Sequence, residues 1–253
     1  MVNATPLFNQ QSHFDALNLQ LKALSLDDLL RWSLWTFGGK IAQVTSFGPS
    51  GIIILDRLAK LSPGIRVITV DTSFLFPETY TLWQDLQDTY EFQLDIRRSD
   101  ITPLQQFQRY GNRLWESEPD QCCQIRKVVP LAQSLDGLDA WITGIRRDQS
   151  SSRARTQIIE WDVKHQMVKV NPLAYWDQVR IWQVIRRENL PYNSLHLEGY
   201  TSIGCAQCTK PAEPCGDERS GRWQGIAKTE CGIHTQVESG SIGKSHVLPG
   251  RTH

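Results

Sequence analysis

Four of the six cysteines form two tight pairs, Cys122-Cys123 and Cys205-Ala206-Gln207-Cys208. The CxxC spacing puts two sulfurs on one side of a turn, close enough to share one metal centre. Two such pairs complete a four-thiol site for zinc or an iron–sulfur cluster. Adjacent cysteines are less usual. On a regular helix their side chains diverge by about 100°, so both reach one centre only where it is bulky or the backbone distorts. A cluster meets that need better than a single zinc ion; a buried thiol pair beside a redox CxxC is the alternative without metal. Cys231 stands apart, in Glu230-Cys231-Gly232-Ile233-His234. The neighbouring glycine gives access, and His234 and Lys228 offer positive charge that lowers a thiol pKa and favours the thiolate nucleophile. An exposed cysteine without a role is the competing reading. Cys215, in Pro214-Cys215-Gly216, reads as an incidental surface thiol.

Basic residues gather near the same places. Arg126-Lys127 follows the first cysteine pair, Arg146-Arg147 and Arg153-Ala154-Arg155 follow an expected strand, and Arg219 and Arg222 precede Cys231. Guanidinium groups hold phosphate and sulfate oxygens bidentately. A solvated face explains any one of these pairs, but not the way all of them flank cysteines or strand ends.

The elements that must position these groups follow from hydrophobic periodicity. Residues 14–35 carry apolar side chains at helical spacing, with Ser25 as a cap inside the run. Residues 42–47 predict a strand ending in the turn Gly48-Pro49-Ser50-Gly51, and residues 52–61 a helix. Residues 66–70 predict a second strand leading to Asp71-Thr72. Residues 77–90 predict a helix with proline at its start. Residues 92–96 and 140–143 predict further strands, and residues 122–135 a helix. This β-α-β-α-β order implies an α/β fold, a parallel sheet with helices on both faces. In such sheets ligands sit at the carboxyl ends of the strands. The turn after Phe47, the pair Asp71-Thr72 and the run Gly144-Ile145-Arg146-Arg147 all fall there.

Composition narrows the function classes. Over 253 residues, 27 Lys plus Arg balance 27 Asp plus Glu. A neutral chain argues against nucleic-acid binding, and its longest apolar runs are too short to span a membrane. Residues 1–21 lack the pattern of a signal peptide, so clustered cysteines point to metal or chemistry in the cytoplasm rather than to a disulfide scaffold. The expected organisation is an N-terminal helical segment over 1–40, one domain over 41–234, and a Gly/Ser-rich flexible tail over 235–253. A homo-oligomer is left open.

Six segments together resemble the sulfonucleotide reductases of assimilatory sulfate reduction. They are Cys122-Cys123-Gln124-Ile125-Arg126-Lys127-Val128, Cys205-Ala206-Gln207-Cys208, Glu230-Cys231-Gly232-Ile233-His234, the run from Val70 to Thr79, the run from Thr143 to Ser150, and Arg219-Ser220-Gly221-Arg222-Trp223. The resemblance implies an adenine-nucleotide hydrolase-like (PP-loop) fold and a 4Fe–4S cluster on Cys122, Cys123, Cys205 and Cys208. It implies that Cys231 attacks the sulfur of adenylyl sulfate (APS) or its 3′-phosphorylated form (PAPS), forming a thiosulfonate and expelling the nucleotide. Thioredoxin, or glutaredoxin, then releases sulfite. By family position Lys127, Arg219, Arg222 and His234 contact the anionic groups, and Ser46, Phe47 and Gly48 cradle the nucleotide. The strand ends add Asp71, Thr72, Gly144, Arg146 and Arg153 to the substrate-binding set. The first turn carries no carboxylate to repel a 3′-phosphate, while a complete set of cluster ligands favours APS.

Overall fold

Short runs rich in apolar and β-branched residues between residues 41 and 170 form one six-stranded sheet. Its strands are β1 Ile41–Val44, β2 Ile65–Asp71, β3 Phe92–Arg98, β4 Ala140–Ile142, β5 Ile159–Asp162 and β6 Met167–Val170. The order is β3-β2-β1-β4-β6-β5, parallel except for β5, which pairs antiparallel with β6. The computed structural model describes residues 11–213 and 216–234. Cys215, the expected tail over 235–253 and the first ten residues lie outside the described residues.

Alternation along the strands divides the core in two. Ile41, Val67, Ala140, Ile142 and Val170 face one layer of helices, and Ala42, Ile68 and Trp141 face another with Leu131 and Leu135. The helices are α1 Gln11–Leu21, α2 Leu26–Phe37, α3 Pro49–Leu61, α4 Pro77–Thr89, α5 Pro103–Tyr110, α6 Leu114–Ser117, α7 Pro119–Cys123, α8 Val129–Ser134 and α9 Gln178–Arg187. Ser25 caps α2, its Oγ accepting from the Asp28 amide at 3.1 Å. Among the described residues no helix is long and apolar enough to cross a membrane.

Three features depart from the sequence expectation. The turn over 48–51 is already the first turn of α3, with Gly48 as N-cap and Pro49 in the first turn, where its missing N–H costs least. The helix expected over 122–135 is broken: a π-helical turn, Gln124–Val128, joins α7 to α8. Such insertions re-aim side chains and gather at functional sites, and this one begins directly after Cys123. The β5–β6 hairpin, α5 and α9 were not anticipated.

Candidate active site

The strand order reverses between β1 and β4, and a cleft with about 1160 Å³ of open space lies at the carboxyl ends there. Ser46, Gly48 and the start of α3 form one wall, and Thr72 and Gly144 line the floor. α3 comes close because its first turn is small. A Cβ on Gly144 would stand 3.0 Å from the Gly51 nitrogen and 3.1 Å from the Ser50 Cβ. Lys127, Arg153, Arg219, Arg222, His234 and Cys231 complete the lining. Groups from the π turn, the segment after β4 and the 216–234 stretch thus meet over one cleft.

Three residues expected to bind substrate do not line the cleft. Phe47 is buried and turned into the core, its ring 5.8 Å from that of Trp83. Its backbone φ of 57° directs the chain into α3 while the side chain goes inward. Asp71 braces the loop after β2, accepting from the Ser73 amide, the Tyr80 hydroxyl and Arg98 Nε, each at 2.8 Å. Arg146 is fully buried and committed to Asp148, Glu218 and the Ser50 hydroxyl. It fastens the α3 N-terminus to the segment after β4.

Cys231 is half-buried and its thiol pKa is lowered. Burial pushes it up most strongly of any single cause, but Lys127, a backbone hydrogen bond from Ile233 and Arg222 together outweigh it. The cations expected for this role do less. Lys228 is turned to Asp120. His234 is held neutral, its pKa well below the usual range because of burial and then the nearby Lys169, Arg153 and Arg219. Its ring stacks on Trp141 at 5.6 Å between centroids with 4° between planes. The site therefore offers a thiolate among fixed cations, beside a neutral imidazole. Arg219 Nε and Arg222 Nε are buried without a hydrogen-bond partner. Donors in that condition suit an incoming anion.

Cys122, Cys123, Cys205 and Cys208 are free thiols around a second, small space, walled by Phe74, Trp115, Pro119 and Trp223 and edged by Arg126 and Lys127. Burial, reinforced for each by a neighbouring thiol, raises the pKa of Cys122, of Cys123 to about 11 and of Cys208 to about 12. Gln106 reaches Cys122 Sγ at 3.9 Å, and Cys205 Sγ donates to Thr72 Oγ1 at 3.3 Å. Among the described residues no group of three or more His, Cys, Asp or Glu is arranged to hold a single metal ion. The donor set itself, four soft sulfurs around one apolar-walled space, is chemically suited to an iron–sulfur cluster. Lys127 lines both spaces.

Sequence reasoning missed several lining or supporting residues. Gly204 lines the cleft directly before the CxxC, and Glu218 lines it between two turn signals. Lys164, at the tip of the β5–β6 hairpin, donates to the Gly232 carbonyl at 3.0 Å. Alternating apolar residues on either side of 163–166 were the available signal for that hairpin.

Residues 40–211 match the phosphoadenosine phosphosulfate reductase domain family. The chain is 41% identical over 233 residues to adenosine 5′-phosphosulfate reductase of Shouchella clausii, covering 92% of this chain and 97% of that one. It is 44% identical over 224 residues to the protein of that name from Salinibacter ruber, covering 88% and 89%. Among solved structures, phosphoadenylyl-sulfate (PAPS) reductase from Candida auris, a phosphate complex, aligns with a TM-score of 0.72 and 33% identity over 79% of this chain and 98% of that one. FMN adenylyltransferase of Candida glabrata shares the fold at 15% identity, with a TM-score of 0.56 over 78% of this chain and 66% of that one.

Proposed function

The chain belongs to the phosphoadenosine phosphosulfate reductase family, and from that premise we propose that it reduces APS to sulfite and AMP. The observation that carries this reading is Cys231 beside Lys127, Arg219 and Arg222 in one cleft at the carboxyl ends of a parallel sheet. The names of the relatives at 41% and 44% identity favour APS over PAPS.

The chemistry follows from the residues. Lys127 stabilises the Cys231 thiolate, which attacks the sulfur of the sulfate group. A bond forms between Cys231 Sγ and that sulfur, the bond from sulfur to the bridging oxygen breaks, and AMP leaves with the electron pair. Arg219 and Arg222 oppose the charge that develops on the departing phosphate and the transferred sulfonate. His234, neutral and stacked on Trp141, can exchange a hydrogen bond with the sulfonate without adding charge. A dithiol protein such as thioredoxin then attacks Cys231 Sγ, and sulfite leaves with the electrons of the S–S bond. The second thiol of the reductant resolves the mixed disulfide and restores the Cys231 thiol. Such a donor and free thiols belong to a reducing compartment, the cytoplasm.

Cys122, Cys123, Cys205 and Cys208 would hold a 4Fe–4S cluster. When bound, such a cluster would cross-link the α7 region to the 205–208 turn and set a sulfur-rich field beside Lys127.

The test is to incubate the wild-type protein with APS and no reductant. One sulfonate should appear on the peptide that contains Cys231. Cys231→Ser should bind AMP normally and release no sulfite. An adduct on another cysteine, or full turnover by Cys231→Ser, would reject the mechanism.

A further inference from the structure

Cys231 is held from both sides by groups that no motif assigns to it. On its N-terminal side the Glu230 carboxylate, its side chain 8% exposed, takes two hydrogen bonds from Arg153, Nε at 2.7 Å and Nη2 at 2.9 Å. Arg219 Nη2 reaches the same carboxylate at 3.2 Å and the Thr229 carbonyl at 3.0 Å. Ser152 Oγ adds a fourth contact at 3.3 Å. On the C-terminal side Lys164 Nζ holds the Gly232 carbonyl at 3.0 Å. Gly232 itself has φ 84°, a turn that favours glycine, so the chain reverses directly after the nucleophile.

Arg153 and Arg219 also line the cleft. The guanidinium groups that face an incoming anion therefore also grip the residue next to the attacking sulfur. Two neighbouring guanidinium groups repel, and a carboxylate bridging them removes that repulsion. Arg219 spends Nη2 on this bridge and keeps Nε unpartnered.

Building on the reading of Cys231 as nucleophile, we propose that Glu230 and Lys164 are positioning residues, which together fix Cys231 Sγ against the anion-holding arginines. Neither touches the reacting atoms in this account. Glu230 works through Arg153 and Arg219, and Lys164 through the Gly232 carbonyl. Their contribution falls on the geometry of attack, where displacement by about 1 Å costs on the order of 100-fold in rate. Nucleotide binding should not suffer. Removing the Glu230 charge frees guanidinium donors, so AMP should bind as well as before or more tightly.

The experiment uses the full chain with its metal content matched between variants. It measures single-turnover formation of the Cys231 sulfonate from APS, and the Kd for AMP by calorimetry. Glu230→Gln should slow adduct formation on the order of 10- to 100-fold with AMP affinity unchanged or higher. Glu230→Asp, which keeps the charge, should recover part of the rate. Lys164→Met, at an exposed position, should slow adduct formation by a smaller factor with AMP affinity unchanged. If both Glu230→Gln and Lys164→Met form the adduct at the wild-type rate, the positioning role is wrong. If rate and AMP affinity fall together, the two residues only shape the cleft and the inference also fails. If the wild-type protein forms no adduct, the proposed function has failed instead, so the two failures are told apart.

Discussion

Gly204 offers a way to move one substrate-facing cation without altering it. Its φ lies outside the left-handed region, so alanine is acceptable to the backbone. A Cβ there would stand 2.5 Å from Arg222 Cζ and 2.7 Å from Nη1. Such distances cannot persist, and the far end of a flexible side chain gives way more easily than backbone does. Gly204→Ala should therefore displace the Arg222 guanidinium from its place over the Trp223 ring, 4.5 Å from Cζ to the centroid. A hydrogen bond to a charged group contributes about 1.5–3 kcal/mol, which corresponds to roughly 10- to 150-fold in affinity. The KM for APS and the Kd for AMP should rise by a factor in that range, while the visible absorption of any bound cluster stays constant. The decisive assay is a double-mutant cycle with Arg222→Ala. If Gly204→Ala acts by moving Arg222, it should cost almost nothing once Arg222 is gone. Full additivity, or wild-type affinity in Gly204→Ala alone, would refute the displacement.

Two further outcomes follow from the thiols. Protein purified without oxygen should be brown with about four irons per chain, and changing any one of Cys122, Cys123, Cys205 or Cys208 to Ser should remove colour and activity together; a colourless, fully active protein holding one zinc would overturn the cluster assignment. Lys127 holds the Cys231 thiol pKa down, so the thiolate persists as pH falls below the usual thiol range and is lost only on protonation at the lowered pKa. The pH midpoint of Cys231 alkylation by iodoacetamide should lie below that of an ordinary thiol and should rise in Lys127→Met; an unchanged midpoint would remove Lys127 from that role.

The α/β order and the strand ends were legible because apolar strand runs alternate with helical periods and because Pro77 marks a helix start, whereas Pro49, read as part of a turn, in fact opens α3. The β5–β6 hairpin was not legible, and its chemistry explains why. Every residue of β6 is buried, yet one is Lys169, which lies 5.5 Å from the Trp141 ring centroid and 3.8 Å from the Glu160 carboxylate. A charge inside a buried strand interrupts its apolar run and leaves the alternation around 163–166 as the remaining signal. The π turn was equally hidden, since the apolar residues over 122–135 satisfy an unbroken helix as well.

The site divides along the same line. Motif residues could be named from the sequence, but which arginine faces the cleft could not. Arg146 and Arg153 follow the same strand, and only the packing of Ser50, Asp148 and Glu218 against Arg146 takes it out of the cleft. Glu230 stood in view beside Cys231, but its partners come from positions 152, 153 and 219. Gly204 is the hardest case, because it acts through the space that its missing Cβ leaves for Arg222. Residue type and spacing reveal which groups can do the chemistry. Residues that hold those groups in place act through contacts distant in sequence, so a variant at such a position changes where a charge sits without changing what the motif says.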